Sequence, residues 1–329
     1  MTVHLDPPSR QALDRLAHRL RETLGPAAVL AAEPMAHYTT LRVGGPVDLL
    51  AIALSGEALR QVVGLAWEQS IPCRVLGSGS NIVVGDGGLR GLAVLNRARE
   101  IRVTRAEAWA ESGVAFAALA RQCVSHGLAG LEWASGIPGT VGGAVFGNAG
   151  AWGGNVASTL VQATVLEPGG STAVWPAARF EYGYRTSVLK RSAARPAVVL
   201  DAEFAVHGGD KEALQARVAE ISIQRKASQP PGSSCGSVFR NPPGDFAGRL
   251  IEAAGLKGRE IGRAQISPKH ANFIINLGGA AAADVKALID LARRAVQEQF
   301  GVGLQLEVEL LGEWLDQDPS ASVQKFAEY

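Results

Sequence analysis

Between Ala134 and Gly154 the chain reads ASGIPGTVGGAVFGNAGAWGG, with glycine at 136, 139, 142, 143, 147, 150, 153 and 154. Glycine loses more conformational freedom on folding than any other residue. A run this dense is explained where the backbone must take positive φ or lie close against a ligand. A flexible linker would be polar and rich in serine. Here Ile137, Pro138, Val141, Val145, Phe146 and Trp152 are interleaved with the glycines, and apolar side chains of this kind favour burial. The segment reads as a ligand-facing loop, like those whose bare peptide N–H groups cradle phosphate.

A second glycine loop precedes it. VLGSGSNIVVGD places Gly77, Ser78, Gly79, Ser80 and Asn81 between two apolar strand-like runs, where consecutive N–H groups and small hydroxyls could hold a pyrophosphate. It is not a Rossmann fingerprint: the third glycine would fall at Ile82, and a strand follows where a helix is required. Paired, the two loops suggest a dinucleotide held between two lobes. The string Gly232, Ser233, Ser234, Cys235, Gly236 matches the GxSxG of hydrolases. The nucleophile elbow needs a strand before and a helix after, and QPP before with β-rich SVFRNPP after supplies neither.

A chain of 329 residues, 47% apolar, exceeds what one core usually organises, so two or three lobes are expected. The formal charge of +1 is scattered, which leaves no electrostatic footprint for nucleic acid or a membrane face. Cys73, Cys123 and Cys235 form no CxxC pair and have no histidine at ligand spacing, so neither a disulfide framework nor a metal site is expected. MTVHLDPPSR has no apolar signal-peptide core, and no stretch reaches the roughly 18 apolar residues of a membrane span. A soluble cytoplasmic protein is expected.

Leu13, Leu16, Leu20 and Leu24 recur at helical spacing, and Gly25 and Pro26 end that helix. VDLLAIAL, CRVLG, NIVVG and GLAVLN read as strands around the helix EALRQVVGLAWEQS. Further on come a helix around Phe116 to His126 and a strand with Val198, Leu200, Ala202, Phe204 and Val206 alternating onto one face. KEALQARVAEISIQRKA reads as a connecting helix. The strand HANFIINL, a helix with Val285, Leu288, Ile289, Ala292, Val296 and Phe300 on one face, and the strand LQLEVELLG complete the pattern. Beyond Trp314 the chain is polar, as a disordered tail would be.

The motifs TTLRVGGP (Thr39 to Pro46), VLGSGSN, SGIPGTVGGAVFGNAGAWG, YGYRTS (Tyr182 to Ser187), SCGSVFRNPPGDFAGRLIEAAGLKG, KHANFIIN and LEVELLG, in this order from about Ala32 to Trp314, resemble the UDP-N-acetylenolpyruvoylglucosamine reductase (MurB) family. The resemblance implies an α+β protein: a two-lobed FAD-binding fold of the vanillyl-alcohol oxidase/PCMH type plus a C-terminal α+β substrate-binding domain. With the residue pattern it divides the chain into a helical extension at 1–30, FAD-binding lobes at 31–103 and 104–210, the substrate-binding domain at 211–315 and a polar tail at 316–329. It further implies noncovalent FAD, NADPH as cosubstrate, and UDP-N-acetylglucosamine enolpyruvate as the substrate reduced in peptidoglycan synthesis, and so a part in cell shape and division. The expected assembly is a monomer.

Hydride addition to the enol ether leaves charge on the neighbouring carbon and its carboxylate, so fixed donors and one proton are needed. The resemblance assigns them to Arg185 of GYRTS, Ser237 of GSVF and Glu307 of LEVELLG. The planar fork of an arginine suits a carboxylate better than a lysine would. Periodicity alone would turn Glu307 to solvent with Gln305 and Glu309. By the same resemblance Gly77, Gly79, Ser80, Asn81, Ile137, Pro138, Gly143, Gly150 and Ala151 line FAD, and Tyr184 and Asn241 contact substrate. The stretch between Arg185 and Gln229 holds no tyrosine, as in the shorter class of the family that lacks a tyrosine loop. His270 reads as a structural group. Two rivals are a sugar or alcohol oxidase, many of which tether FAD through His or Cys near such loops, and a noncatalytic nucleotide-sugar binder.

Overall fold

The computed structural model describes residues 7–192 and 197–314; the 316–329 tail and the first residues of the N-terminal extension lie outside them. The chain forms two compact units. The first runs to Glu33 and takes Val47–Ser80 and Arg90–Pro231; the second takes Pro34–Pro46, Asn81–Leu89 and the chain from Gly232 on.

In the first unit, α1 (Arg10–Leu24) starts where the Ser9 hydroxyl accepts the Ala12 N–H at 3.2 Å, and ends at Gly25 with φ +85°. A hydroxyl N-cap satisfies a helix donor that has no partner within the helix. Leu16, Ala17 and Leu20 are buried in one core with Leu59, Val62, Val63 and Ala66 of α2 (Gly56–Glu68). That core covers a sheet of β1 (Val29–Pro34), β2 (Pro46–Ala53), β3 (Cys73–Leu76) and β5 (Leu89–Asn96), ordered β1-β2-β5-β3 with β3 parallel to β5.

A second sheet of the same unit comprises β6 (Ile101–Val103), β7 (Glu107–Glu111), β11 (Leu160–Leu166), β12 (Thr172–Pro176) and β13 (Val198–Ala205), antiparallel throughout in the order β12-β11-β13-β7-β6. Its core holds Phe116 of α3 (Phe116–Ser125), which meets the rings of Trp133 and Phe204 at 5.5 and 5.4 Å. The expected single-face alternation of β13 fails at Leu200. The register against β11 shifts there, so Val199, Ala202, Phe204 and Val206 enter this core while Leu200 enters the other. A bulge inserts one residue and reverses the parity of the side chains beyond it. The short ladders β8 (Leu128–Ala129) with β14 (His207–Gly208), and β9 (Gly150–Ala151) with β10 (Gly154–Asn155), complete the unit's pairing. Helices α4 (Val141–Gly147), α5 (Val188–Arg191) and α6 (Lys211–Ser228) belong here too.

The second unit pairs β15 (Ser233–Ser237), β16 (Glu260–Ile261), β17 (Ala264–Ile266) and β18 (Phe273–Asn276) antiparallel, in the order β15-β18-β17-β16. Over them pack α7 (Ala247–Ala253) and α8 (Ala282–Phe300), whose Val285, Leu288, Ile289, Ala292 and Val296 are all buried. Phe300, expected on the same face, is 39% exposed, because the helix ends at once in the left-handed Gly301. β4 (Ile82–Val84) pairs in parallel with β19 (Glu309–Leu311). Asp86, just after β4, accepts the Ala282 and Ala283 N–H groups at 2.8 and 2.9 Å, so it caps α8 from almost two hundred residues away. Ser234 lies in β15 with Gly236 (φ +79°) after it and no helix following directly, so the GxSxG string forms no elbow.

Candidate functional site

β3 runs into Gly77–Ser80, and the long glycine segment meets that loop directly. A Cβ added at Gly77 would lie 2.3 Å from Thr140 Oγ1, and one at Gly139 (φ +111°) 3.0 Å from Ser80 Oγ. Glycine is therefore required on both sides of one contact. Arg97 braces it by donating to the Gly77 carbonyl at 3.0 Å. The two loops meet on bare backbone, with Pro138 and Gly143 exposed and Ile137 packed on the core beneath.

The glycine segment is not loop throughout, as the composition suggests. Residues Val141–Gly147 close into α4, with the Thr140 hydroxyl accepting the Gly143 N–H at 3.4 Å and Asn148 ending the helix at φ +49°. Of its glycines, Gly142 serves packing: a Cβ there would lie 2.9 Å from Ser112 Cβ. The hairpin that follows pairs Gly150 and Ala151 with Asn155 and Gly154, leaving Trp152 (φ +54°) and Gly153 (φ +87°) at its tip.

The C-terminal end of α4 positions the arginine of YGYRTS. A helix leaves its last carbonyls without partners inside the helix. Here Tyr182 donates its hydroxyl to the Val145 carbonyl at 3.0 Å, and Ser187 donates to that of Phe146 at 2.6 Å. Asn148 donates from Nδ2 to the Gly183 carbonyl at 2.9 Å and accepts the Ala157 N–H on Oδ1 at 3.0 Å. Between these anchors Gly183 and Thr186 exchange backbone bonds of 3.1 and 3.2 Å, closing a two-residue turn. Tyr184 and Arg185 form its tip, with Arg185 at φ +56° and its guanidinium 5.9 Å from the Tyr184 ring centroid. Tyr184 is 59% exposed and Arg185 half-buried. Burial pushes the Tyr182 hydroxyl well above its ordinary pKa, so it remains a donor. Thr140, Asn148, Tyr182 and Ser187 escaped sequence reasoning, although two of them flank Tyr184 and Arg185 in one motif.

The second unit brings together Ser237, Glu307 and Asn81. Ser237 ends β15 opposite Phe273, after a register shift. One residue on, the Val238 carbonyl accepts the N–H groups of both Glu307 (2.9 Å) and Val308 (3.4 Å). Asn81 donates from Nδ2 to the Glu307 carbonyl at 3.2 Å, and its own carbonyl accepts the Glu309 N–H at 3.0 Å. The expected strand through LQLEVELLG is therefore corrected. Only Glu309–Leu311 is strand, Leu306 makes an isolated bridge to Phe239, and the bend between them leaves Glu307 half-buried while Gln305 is exposed. Alternation stops at a bend, so it does not govern where Glu307 points.

Asn272, buried, locks this corner by accepting the Phe239 N–H at 2.9 Å and donating to the Phe239 carbonyl at 2.8 Å. Thr40 donates to the Ser234 carbonyl at 2.7 Å and so ties TTLRVGGP to β15. Asn241 accepts the Ala247 N–H at 3.1 Å, which places it at the start of α7. His270 lies edge-on to Phe273 at 4.9 Å and accepts the Asn272 N–H at 3.2 Å; burial holds its pKa below the ordinary value. Among the described residues no cluster of His, Cys, Asp or Glu could hold a metal ion, and no helix is long and apolar enough to cross a membrane.

Residues 47–174 match the family model described as FAD binding domain, and residues 227–311 the one described as UDP-N-acetylenolpyruvoylglucosamine reductase, C-terminal domain. The chain is 46% identical over 298 residues to the UDP-N-acetylenolpyruvoylglucosamine reductase of Chloroflexus aggregans, covering 89% of this chain and 100% of that one. It is 41% identical to the enzyme of the same name from Geobacillus kaustophilus, with 91% and 98% covered. The crystal structure of UDP-N-acetylenolpyruvylglucosamine reductase from Thermus caldophilus aligns with a TM-score of 0.73 at 36% identity, covering 86% of this chain and 98% of that one. The expected α+β fold with an FAD-binding domain is thereby shown. With both family models matched and full-length relatives at this identity, the chain belongs to the UDP-N-acetylenolpyruvoylglucosamine reductase (MurB) family.

Proposed function

We propose that this chain reduces the enolpyruvyl ether of UDP-N-acetylglucosamine enolpyruvate to the lactyl ether of UDP-N-acetylmuramate, with NADPH as reductant and noncovalent FAD as carrier, in cytoplasmic peptidoglycan precursor synthesis. The observation that carries the reading is an FAD-binding domain joined on one chain to the reductase C-terminal domain, with Ser237 and Glu307 brought to one corner by the Val238 carbonyl.

Gly77, Gly79, Ser80, Asn81, Ile137, Pro138, Gly143, Gly150 and Ala151 would hold FAD, which would supply the hydride. Arg185 takes the substrate carboxylate on its fork, where charge grows as the double bond is lost. The Ser237 hydroxyl delivers the proton to the carbon beside that carboxylate. Serine is a weak acid, so it can serve only a strongly basic carbon whose charge is held by fixed groups; Arg185 supplies the positive charge, and Glu307 serves by donating a hydrogen bond from its carboxyl O–H. Tyr184, beside Arg185 on the exposed turn, and Asn241 hold the rest of the substrate.

The test is anaerobic. NADPH should bleach the yellow protein, and UDP-N-acetylglucosamine enolpyruvate should restore the colour. Bleaching without recolouring would remove the proposed substrate while leaving the flavin reading in place.

A further inference from the structure

The loop that leads into β18 brings a histidine ring to the backbone behind the serine and glutamate corner. Ser267 is buried, and its hydroxyl accepts the N–H groups of Lys269 and His270 at 3.1 and 3.2 Å, which fixes the course of this loop. The His270 ring then packs against two elements. The Phe273 ring of β18 lies 4.9 Å from it, and a Cβ built at Gly248 of α7 would stand 3.0 Å from His270 Cε1 and 3.4 Å from Nδ1. Glycine at 248 therefore lets α7 lie directly on the ring. The charged groups that face the ring come from α7 and the loop after it. Lys257 disfavours its protonation and Glu252 favours it, and the two pair with each other at 2.8 Å. Burial lowers the His270 pKa, against the opposing effect of its own backbone and of Glu252. The ring is therefore neutral at pH 7 and takes a proton only on the acid side of the ordinary histidine value of about 6.5.

A backbone N–H can only donate, so the Asn272 N–H at 3.2 Å from His270 Nδ1 fixes the state of the ring. Nδ1 carries no proton, and the neutral ring holds its proton on Nε2. Protonation would add a second ring N–H, at Nδ1. Two donors would then face each other, and the Asn272 N–H would lose its acceptor. Asn272 is also what holds the segment after Ser237. Its backbone carbonyl accepts the Val238 N–H at 2.9 Å, and its side-chain amide closes both bonds to the Phe239 backbone, at 2.9 and 2.8 Å. Val238 in turn accepts the Glu307 and Val308 N–H groups on its carbonyl. A shift of Asn272 is thus passed to Ser237 and Glu307 together.

We propose that His270 is a positioning residue for the protonation step: its proton-free Nδ1 holds Asn272, Asn272 holds Val238 and Phe239, and Ser237 and Glu307 keep their mutual placement only while that acceptor is free. This rests on the functional reading above, in which Ser237 delivers the proton and Glu307 donates a hydrogen bond to the developing charge. His270 acts through Asn272 and not on the reacting atoms. Its protonation slows the second half-reaction and leaves the reduction of flavin alone.

The test uses the full-length, flavin-loaded protein and its variants His270→Asn and His270→Leu. Asparagine can offer an amide oxygen in place of Nδ1 and does not titrate, whereas leucine offers no acceptor. Reduction by NADPH and reoxidation by the enolpyruvyl sugar are followed separately by stopped-flow absorbance from about pH 5 to 8. In the wild type the limiting rate of reoxidation should fall on the acid side by up to about tenfold, the value of one neutral hydrogen bond, and reduction should not share that limb. His270→Asn should keep the alkaline rate and lose the acid limb. His270→Leu should be slow throughout, in its limiting rate and not in the sugar concentration that half-saturates it. The proposal is overturned if the wild type shows no acid limb, if His270→Asn keeps that limb or is no faster than His270→Leu, or if His270→Leu stays within about twofold of the wild type. Where His270→Leu fails to fold, the His270→Asn profile decides alone. Amide exchange at Val238, Asn272 and Glu307, corrected for intrinsic rates, reads the same contact without substrate: protection should drop on the acid side in the wild type and hold in His270→Asn, and equal protection in both would overturn the contact. Wild-type protein whose flavin the sugar does not reoxidise would sink the functional reading, and exchange would still decide whether His270 governs this corner.

Discussion

The Ser237 hydroxyl and the Arg185 turn bear most of the proposed chemistry, and each can be separated from the flavin. Ser237→Ala removes one oxygen at the end of β15. It should leave reduction by NADPH at its normal rate and abolish reoxidation by the enolpyruvyl sugar, followed by stopped-flow absorbance; equal loss of both half-reactions would refute a proton-donor role. Asn148 offers a subtler case. Asn148→Gly keeps the left-handed backbone at the end of α4 but removes the Nδ2 bond to the Gly183 carbonyl. A hydrogen bond of this kind contributes about 0.5–1.5 kcal/mol. If it positions Arg185, kcat should fall by up to about tenfold while the flavin spectrum and the NADPH half-reaction hold. An unchanged kcat would show that Tyr182 and Ser187 suffice.

At the scale of elements, the proposed flavin site rests on the contact between the two glycine loops. Gly77→Ala would force a methyl to within 2.3 Å of Thr140 Oγ1, so one loop must move. The expected result is purified protein with little bound FAD, measured as the ratio of flavin to protein absorbance, and a melting temperature several degrees lower. Gly77→Ala combined with Thr140→Ala removes the nearest clashing atom and should regain part of the flavin. No regain would mean that Gly77 is needed for its own conformation or for ligand approach, and not to clear Thr140. Much of this level was legible from residue order. The helix α1, its stop at Gly25, and the buried face of α8 follow from spacing. The parity change at Leu200 and the bend before Glu309 were not, because each arises from pairing with a distant strand and leaves no periodic mark.

For the whole molecule, the thiols test how tightly both units exclude water. Cys123 lies in the first unit's core and Cys235 in the second's, and burial pushes them up to about 11 and about 12. An unfolded thiol ionises near its ordinary pKa of about 8.5. Above that pH the unfolded chain sheds protons that the folded chain keeps. Stability is therefore unaffected by these groups below about pH 8 and falls as pH rises toward the folded values, by up to about 1.4 kcal/mol per pH unit for each thiol. Denaturation midpoints should drop between pH 8 and 10, and Cys235→Ala should lessen the drop. A slope untouched by that substitution would show that Cys235 ionises freely when folded.

The residue order by itself carried two glycine loops and the α+β pattern that the comparisons bear out, along with the YGYRTS, GSVF and LEVELLG motifs on which the proposed roles of Arg185, Ser237 and Glu307 rest. Those signals are local, since a loop's need for bare backbone and a helix's apolar stripe are written within a few residues. What the tertiary structure decided is which distant segments meet. It joined Gly77 to Thr140, set the Arg185 turn on the end of α4, and hung Glu307 on the carbonyl next to Ser237. It also drew 34–46 and 81–89 into the unit that begins again at Gly232, where Asp86 caps α8. The reason is physical: burial and hydrogen bonding are satisfied over the whole chain at once, so a residue's partners depend on packing that no short window of sequence contains.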